Sequence, residues 1–289
     1  MPAFPFSEIL DGLPTITIID IGALPDDKVL YRPLMRRGLA RVVGFQPDQR
    51  PREALAEAAR GPHHYRAEVI GDGSPCRYHR CEDPAFSSVC APDTALIARF
   101  QNLKSQMRVV ETSDARTVTL DAVPEAASLD FLKVTARGVG AGTLAAGEAA
   151  LARTLAVHIH VALVPLYHGQ PGFAEIDTSL TARGFRFHKF AGLGGRTFKP
   201  LVAGDNPNAP LSQFLWADAV YVRDFMGFDD LEEESLLKLT IILHELYSAY
   251  DLAALALRAF DAKTEAGLWP AYVKRLTSRR VSATGSSKK

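Results

Sequence analysis

The residues of this chain that could do chemistry lie at the ends of predicted strands. Asp20 and Gly22 follow a β-branched apolar run that begins at Thr15. A carboxylate at a strand end, with a glycine just beyond it, offers a ligand both a charge and a close backbone approach. Gln46 and Asp48 end a second run, where nucleotide-type sites commonly supply an acid to ribose hydroxyls. The spacing predicts a ligand crevice, and a core strand followed by a turn is the alternative.

A third acidic position is Asp72, which stands between Gly71 and Gly73. Two flexible residues around one acid indicate a tight turn that projects a carboxylate. The turn by itself also accounts for these residues, so a binding role for Asp72 and Gly73 is a hypothesis.

His158 and His160 stand two positions apart in a predicted strand and therefore share one face. A histidine that is neutral near pH 7 can accept a proton, so His160 is the first candidate for a general base and Asp121 the second. The alternative is a pair of packed histidines in the core or at an interface. A metal site at these positions would need further ligands such as His188 or Asp121, and no metal site is predicted.

The composition is that of an ordinary globular chain. Its 289 residues contain 33 Lys plus Arg and 33 Asp plus Glu. This balance provides no basic field for nucleic acid, and no apolar run is long enough to insert into a membrane. Without a recognisable signal peptide the expected location is cytoplasmic. Cys76, Cys81 and Cys90 lack a Cys-x-x-Cys pair, so we expect reduced thiols rather than bound zinc.

Strands and helices alternate along most of the chain, which predicts an α/β fold of the Rossmann type with about seven strands. The expected strands are 15–23, 40–48, 64–69, 129–134, 156–166, 185–190 and 217–222, and the expected helices include 26–37, 52–60, 138–153 and 175–183. Residues 76–121 are less regular and predict an elaborated connection over the crevice, with short strands at 109–110 and 117–120.

Four segments are predicted along the chain. Residues 1–14 form an N-terminal segment, 15–224 the sheet domain, 225–280 a C-terminal helical extension and 281–289 a disordered tail. The extension has leucines at helical spacing after Leu231. Its apolar faces could pack on the sheet domain or form a homo-oligomer.

Several short segments, in their order along the chain, resemble those of the FkbM family of S-adenosylmethionine-dependent methyltransferases. They are DIGA at 20–23, VGFQPD at 43–48, GDG at 71–73, TLD at 119–121, DFLK at 130–133, VPLYHGQP at 164–171 and LWADAVYVRD at 215–224. Each is weak alone, and together they cover residues 15–224.

The resemblance implies a class I methyltransferase sheet that binds S-adenosylmethionine at the tips of its first strands. By position, Asp20, Gly22 and Ala23 would line the methionine end, Gln46 with Asp48 the ribose, and Asp72 with Gly73 the adenine. The resemblance also implies a small-molecule acceptor, and O-methylation of a sugar, lipid or metabolite hydroxyl is the expected reaction.

Family acids are replaced in this chain at five positions: Gln46, Thr135, Gly140, His160 and Ala162. Their joint loss favours either relaxed selection on catalysis or a site adapted to another acceptor. The competing hypothesis is therefore a catalytically degenerate FkbM-like protein that acts as a binding or assembly module. A nicotinamide oxidoreductase is disfavoured because the first turn lacks the Gly-x-Gly-x-x-Gly fingerprint.

Overall fold

The structure is a computed structural model that describes residues 3–25, 29–59 and 61–284. Ten strands form two sheets in this part of the chain. The strands are β1 (Ile16–Ile21), β2 (Ala40–Phe45), β3 (His63–Arg66), β4 (Val69–Ile70), β5 (Pro75–Cys81), β6 (Val109–Val118), β7 (Phe131–Val134), β8 (Ala156–Ala162), β9 (Phe185–Gly195) and β10 (Phe214–Arg223).

The central sheet has seven strands in the order β3-β2-β1-β7-β8-β10-β9. The pairs β1–β7, β2–β3 and β7–β8 are parallel, whereas β10 runs antiparallel to β8. Chain order reverses between β1 and β7, which creates a switch point where the crevice of an open α/β sheet forms. The predicted α/β class, with a Rossmann-like central sheet of seven strands, is confirmed.

Apolar burial explains why the central strands lie where they do. All six residues of β1 are buried, including Asp20, and only Arg41 of β2 is exposed. A strand that is buried on both faces has a nearly continuous apolar sequence, and this pattern predicted β1 and β2.

The helices differ from the sequence expectation mainly in their bounds. They are α1 (Arg32–Arg36), α2 (Gln49–Ala58), α3 (Thr94–Ile97), α4 (Leu103–Gln106), α5 (Ala141–Ala145), α6 (Glu148–Arg153), α7 (Phe173–Thr181), α8 (Glu233–Ile241), α9 (Tyr250–Thr264) and α10 (Leu268–Thr284). The predicted helix 138–153 is two helices that break at Gly147, and α1 begins later than expected, with Pro33 in its first turn. Residues 26–28 of that prediction lie outside the described residues.

The region 76–121 is more regular than the sequence indicated. Its two short predicted strands are replaced by β6, ten residues long, which pairs with β4 on one side and β5 on the other. Polar residues occupy much of β6, so the apolar pattern that reveals a strand was weak there. This three-stranded sheet supplies part of the crevice wall.

The chain divides into two compact units. One contains the segment that starts at Thr17 together with Arg41–Val222, and the other contains the N-terminal residues up to Ile16, a stretch that ends at Ala40, and everything from Arg223 onward. In the second unit, Glu245 accepts a hydrogen bond from the Phe6 amide and pairs with Arg37. The predicted N-terminal segment and helical extension therefore belong to one unit. Within the described residues, no helix has the length and apolarity that crossing a membrane requires.

The end of the chain differs from the predicted tail in one respect. Helix α10 continues to Thr284, four residues into the segment 281–289 that was expected to be disordered. Residues 285–289 lie outside the described part of the chain.

Candidate ligand crevice

A cavity of about 280 Å³ lies at the carboxyl ends of β1, β2 and β7. It is close in size to the lower end of small-molecule sites. Its wall includes Gly22, Gln46, Asp72, Thr135 and Arg137, with residues of β4, β5 and β6 on the side of the small sheet. The sheet edge thus brings together three predicted binding residues, Gly22, Gln46 and Asp72. Gln46 and Thr135 of this wall are positions where family acids are replaced.

Gly22 has a backbone conformation that only glycine adopts easily, with φ of +84°. A Cβ placed there would lie 2.4 Å from the Ala136 backbone nitrogen. Its amide donates to the Phe45 carbonyl at 2.9 Å, and its carbonyl accepts from the Thr135 hydroxyl at 2.8 Å. The glycine is therefore required by the packing of β1 against the turn after β7.

Asp20 is placed differently from the predicted ligand-binding role. Its side chain is buried, and both carboxylate oxygens accept from the Lys133 ammonium at 3.0 Å. The parallel register of β1 and β7 sets these two residues side by side. Asp20 does not belong to the cavity wall, and its carboxylate pairs with a lysine of the neighbouring strand.

Gln46 lines the cavity and also closes the turn after β2. Its side-chain amide donates to the Ala23 carbonyl at 2.9 Å, and its side-chain oxygen accepts from the Asp48 amide at 3.0 Å. Ala23 itself is buried and lies outside the cavity wall. A side-chain amide has two N–H groups and two oxygen lone pairs. These two bonds use one of each, so Gln46 has one further donor and one further acceptor.

Asp48 faces a neighbouring cavity of about 620 Å³ and not the first one. Its carboxylate accepts from the Ser87 hydroxyl at 3.0 Å, and burial raises its pKa above the ordinary value. Tyr78 lines both cavities. Gln46 and Asp48 therefore line different cavities, although both were predicted to bind the ribose.

Asp72 is exposed on the cavity wall, as the turn prediction implied. Its carboxylate accepts from the Ser74 amide at 2.9 Å, and this backbone bond lowers its pKa. Gly73, with φ of +89°, donates to the Thr117 hydroxyl at 2.8 Å and lies outside the wall. The turn presents the carboxylate of Asp72, and Gly73 allows the turn to form.

His160 lies between two charged side chains. One ring nitrogen, Nε2, is 2.7 Å from Arg137 Nη1, and Nδ1 is 3.2 Å from Asp218 Oδ1. An arginine only donates and a carboxylate only accepts, so this geometry fits a neutral ring with its proton on Nδ1. Burial, aided by the positive charge of Arg137, lowers the pKa of His160 to about 4.

The second candidate base, Asp121, has a structural task in the observed fold. Its two oxygens accept from the amides of Ala149 and Ala150, at 3.1 and 2.8 Å, in the first turn of α6. The residue before that helix is Gly147, where a Cβ would lie 3.0 Å from Leu120. A side chain at Gly147 would crowd Leu120, and Asp121 caps the helix from outside.

Arg137 is the crevice residue whose surroundings the sequence did not predict. Its guanidinium stacks on Phe86 at 4.5 Å and on Trp216 at 5.3 Å, and Nε donates to the Ala85 carbonyl at 2.8 Å. The only sequence signal was its position between Thr135 and Gly140, two positions where family acids are replaced.

His158 does not join His160 in a metal site. It is buried in β8, and burial lowers its pKa to about 4. Across the described residues, no group of three potential metal ligands is close enough to hold an ion.

Comparison with known proteins leaves the family open. No family model matches the chain, and no curated protein matches it. A solved structure described as a "putative methyltransferase from Thermoplasma acidophilum" has a TM-score of 0.35 and 11% identity over 73% of this chain and 69% of that one. A TM-score this low carries no argument about activity, and the fold class rests on the strand order.

Proposed function

We propose that this chain is a methyltransferase of the FkbM type that binds S-adenosylmethionine in the 280 Å³ crevice. The observation that carries the proposal is the shared lining by Gly22, Gln46 and Asp72, which come from three separate turns. These predicted binding residues converge at the switch point of the sheet, and open α/β sheets commonly bind nucleotides in the crevice at such a point.

The donor set suits a nucleoside without phosphate. The remaining donor and acceptor of Gln46 can pair with ribose hydroxyls, and the exposed carboxylate of Asp72 can accept from an adenine amino group. No phosphate has to be held, so a single glycine in the first turn is sufficient. The bound cofactor would supply an electrophilic methyl group, and the protein would position an acceptor hydroxyl and exclude water.

The catalytic roles of His160 and Asp121 remain predictions. His160 can accept a proton only when Arg137 releases Nε2, because that nitrogen is engaged at 2.7 Å. Both oxygens of Asp121 are engaged by helix amides, which makes it the weaker candidate.

Calorimetry with S-adenosylmethionine and S-adenosylhomocysteine tests binding directly. We expect micromolar to millimolar dissociation constants and at least a fivefold loss of affinity in Asp72→Ala. The matched control is Asp114→Ala, because Asp114 is an exposed acid on β6 that is not part of the wall. Absence of heat at millimolar ligand, with a folded protein, would contradict the proposal.

A second function is favoured by the contact of Arg137 with His160. Arg137 engages Nε2 of His160, the first candidate base, so the chain could bind a ligand without transferring a methyl group. Incubation with methyl-labelled cofactor and a cell extract separates the two functions. Label in a product supports the enzyme, whereas binding without transfer supports the binding module.

A further inference from the structure

The guanidinium of Arg137 is held in place on several sides. Phe86 and Trp216 contact its face, Ala85 accepts from Nε, and His160 accepts from Nη1. An arginine fixed in this way loses little further entropy when it binds a partner, because its side chain is already ordered.

The charge of Arg137 is not matched by a directly bonded acid. Among the described residues no carboxylate forms an ion pair with it, and Asp218 reaches it only through the neutral ring of His160. Nη2 has no hydrogen-bond partner within the same part of the chain. Asp83 and Asp218 are close enough to interact with the charge of Arg137 without bonding to it, and an anionic ligand in the crevice would supply a direct ion pair.

Arg137 also lies on the wall of the crevice, between Ala136 and Gly138, which line it too. We propose that Arg137 makes this crevice a carboxylate-binding site, in which Nη2 and the second N–H of Nη1 hold the two oxygens of a small molecule. The planar fork of a guanidinium matches a carboxylate in this way.

The surrounding charges favour a carboxylate over a phosphate. Glu68 and Asp72 line the same cavity, and Arg137 is its only cationic lining residue among those described. One positive charge balances a monoanion, whereas a dianionic phosphate would be left with excess charge beside two acids. Phosphate sites usually add backbone amides at a helix terminus or several cations.

The carboxylate has two possible sources, which share this chemistry. It belongs either to the methionine end of the proposed cofactor or to the acceptor. The first assignment rests on the proposed function, and the second needs only the crevice. Binding experiments with ligands that contain or lack the carboxylate distinguish them.

Trp216 provides the reporter, because Arg137 stacks on its ring and the chain has only one other tryptophan, Trp269. In a Trp269→Phe background, fluorescence is titrated with butyrate, S-adenosylhomocysteine and 5′-methylthioadenosine. The last two share the thioadenosine, and only S-adenosylhomocysteine has a carboxylate. The matched control for Arg137→Gln is Arg196→Gln, since Arg196 stacks on the same ring at 5.2 Å and is not part of the wall.

We expect a saturable response to butyrate or S-adenosylhomocysteine that Arg137→Gln weakens at least tenfold and Arg196→Gln preserves. If Arg137→Gln loses affinity for S-adenosylhomocysteine alone, and binds 5′-methylthioadenosine unchanged, the cofactor supplies the carboxylate. If Arg137→Gln loses affinity for butyrate alone, the acceptor supplies the carboxylate. Equal affinities of wild type and Arg137→Gln for both carboxylates, or no response to either, would overturn the inference.

The two proposals fail separately. If the wild-type protein binds neither adenosine compound, the proposed function is wrong, and butyrate still decides the role of Arg137. Circular dichroism establishes that each variant is folded. Should Arg137→Gln fail to fold, Arg137→Lys keeps the charge without the planar fork and is expected to weaken carboxylate binding less than tenfold but measurably.

Discussion

At the scale of single residues, positions in the crevice wall that are proposed to bind a ligand also hold the local structure together. Gln46 closes the turn after β2 and still has hydrogen-bonding capacity toward the cavity. Gly22 was predicted to let a ligand approach the backbone, and its conformation shows that the fold itself requires a glycine there. The proposed binding residues at this edge are therefore also structural residues, and substitutions must be tested for stability as well as for affinity.

Gly22→Ala should be strongly destabilising. Alanine would have to adopt an unfavourable positive φ, and its Cβ would lie 2.4 Å from the Ala136 nitrogen. We therefore expect a loss of about 2–4 kcal/mol in the free energy of unfolding. Urea denaturation measures this loss. The control is Gly142→Ala, where nothing lies within 4 Å of the added carbon and the helix should gain about 0.5 kcal/mol. Similar midpoints for the two variants would contradict this explanation.

At the scale of elements, the register of neighbouring strands decides which polar side chains meet. In the antiparallel pair of β8 and β10, Asp218 lies directly opposite His160, and in the parallel pair of β1 and β7, Asp20 lies opposite Lys133. Helix α6 is a third case, because its first turn takes its cap from Asp121, which precedes β7 in the chain.

Replacing Asp121 should loosen α6. Loss of both acceptor oxygens in Asp121→Ala leaves two helix amides without their partner, and we expect a cost of about 1 kcal/mol, measured by thermal or urea denaturation. Asp121→Asn keeps one acceptor oxygen and should cost less. If instead methyl transfer is lost in both variants while stability is unchanged, Asp121 acts in catalysis and the cap is unimportant.

At the scale of the whole molecule, buried neutral histidines make stability depend on pH. Burial lowers the pKa values of His158 and His160 from 6.5 to about 4, so the unfolded chain binds protons in a range where the folded chain does not. The neutral rings contribute their full stability above pH 6.5, and this contribution is lost as the pH falls toward 4.

We expect the free energy of unfolding to fall with decreasing pH in this window, by up to about 3 kcal/mol for each histidine. Urea denaturation between pH 7.5 and 4.5 measures the slope. His158→Gln should reduce the slope, whereas His168→Gln, a change at an exposed position, serves as the matched control. A wild-type stability that is constant across this range would show that the two histidines bind protons equally in the folded and unfolded states, which contradicts the lowered pKa values.

Much of the architecture could be read from the chain because it depends on local pattern. The apolar runs of β1, β2 and β8 and the alternation with helices predicted the sheet, and Gly22, Gln46 and Asp72 line one cavity of the structure. The strand β6 was largely missed because its residues are mostly polar and exposed, so it lacks the pattern that burial imposes.

The sequence by itself therefore determined the fold class and the strand ends at which a ligand crevice forms, since both follow from hydrophobic periodicity and the parallel order of strands. Only the tertiary structure decided the partners of the charged residues: Lys133 for Asp20, helix amides for Asp121, and His160 for Arg137. Those pairs are 113, 29 and 23 residues apart in the chain. Strand register and packing bring them together, and local sequence carries no record of either.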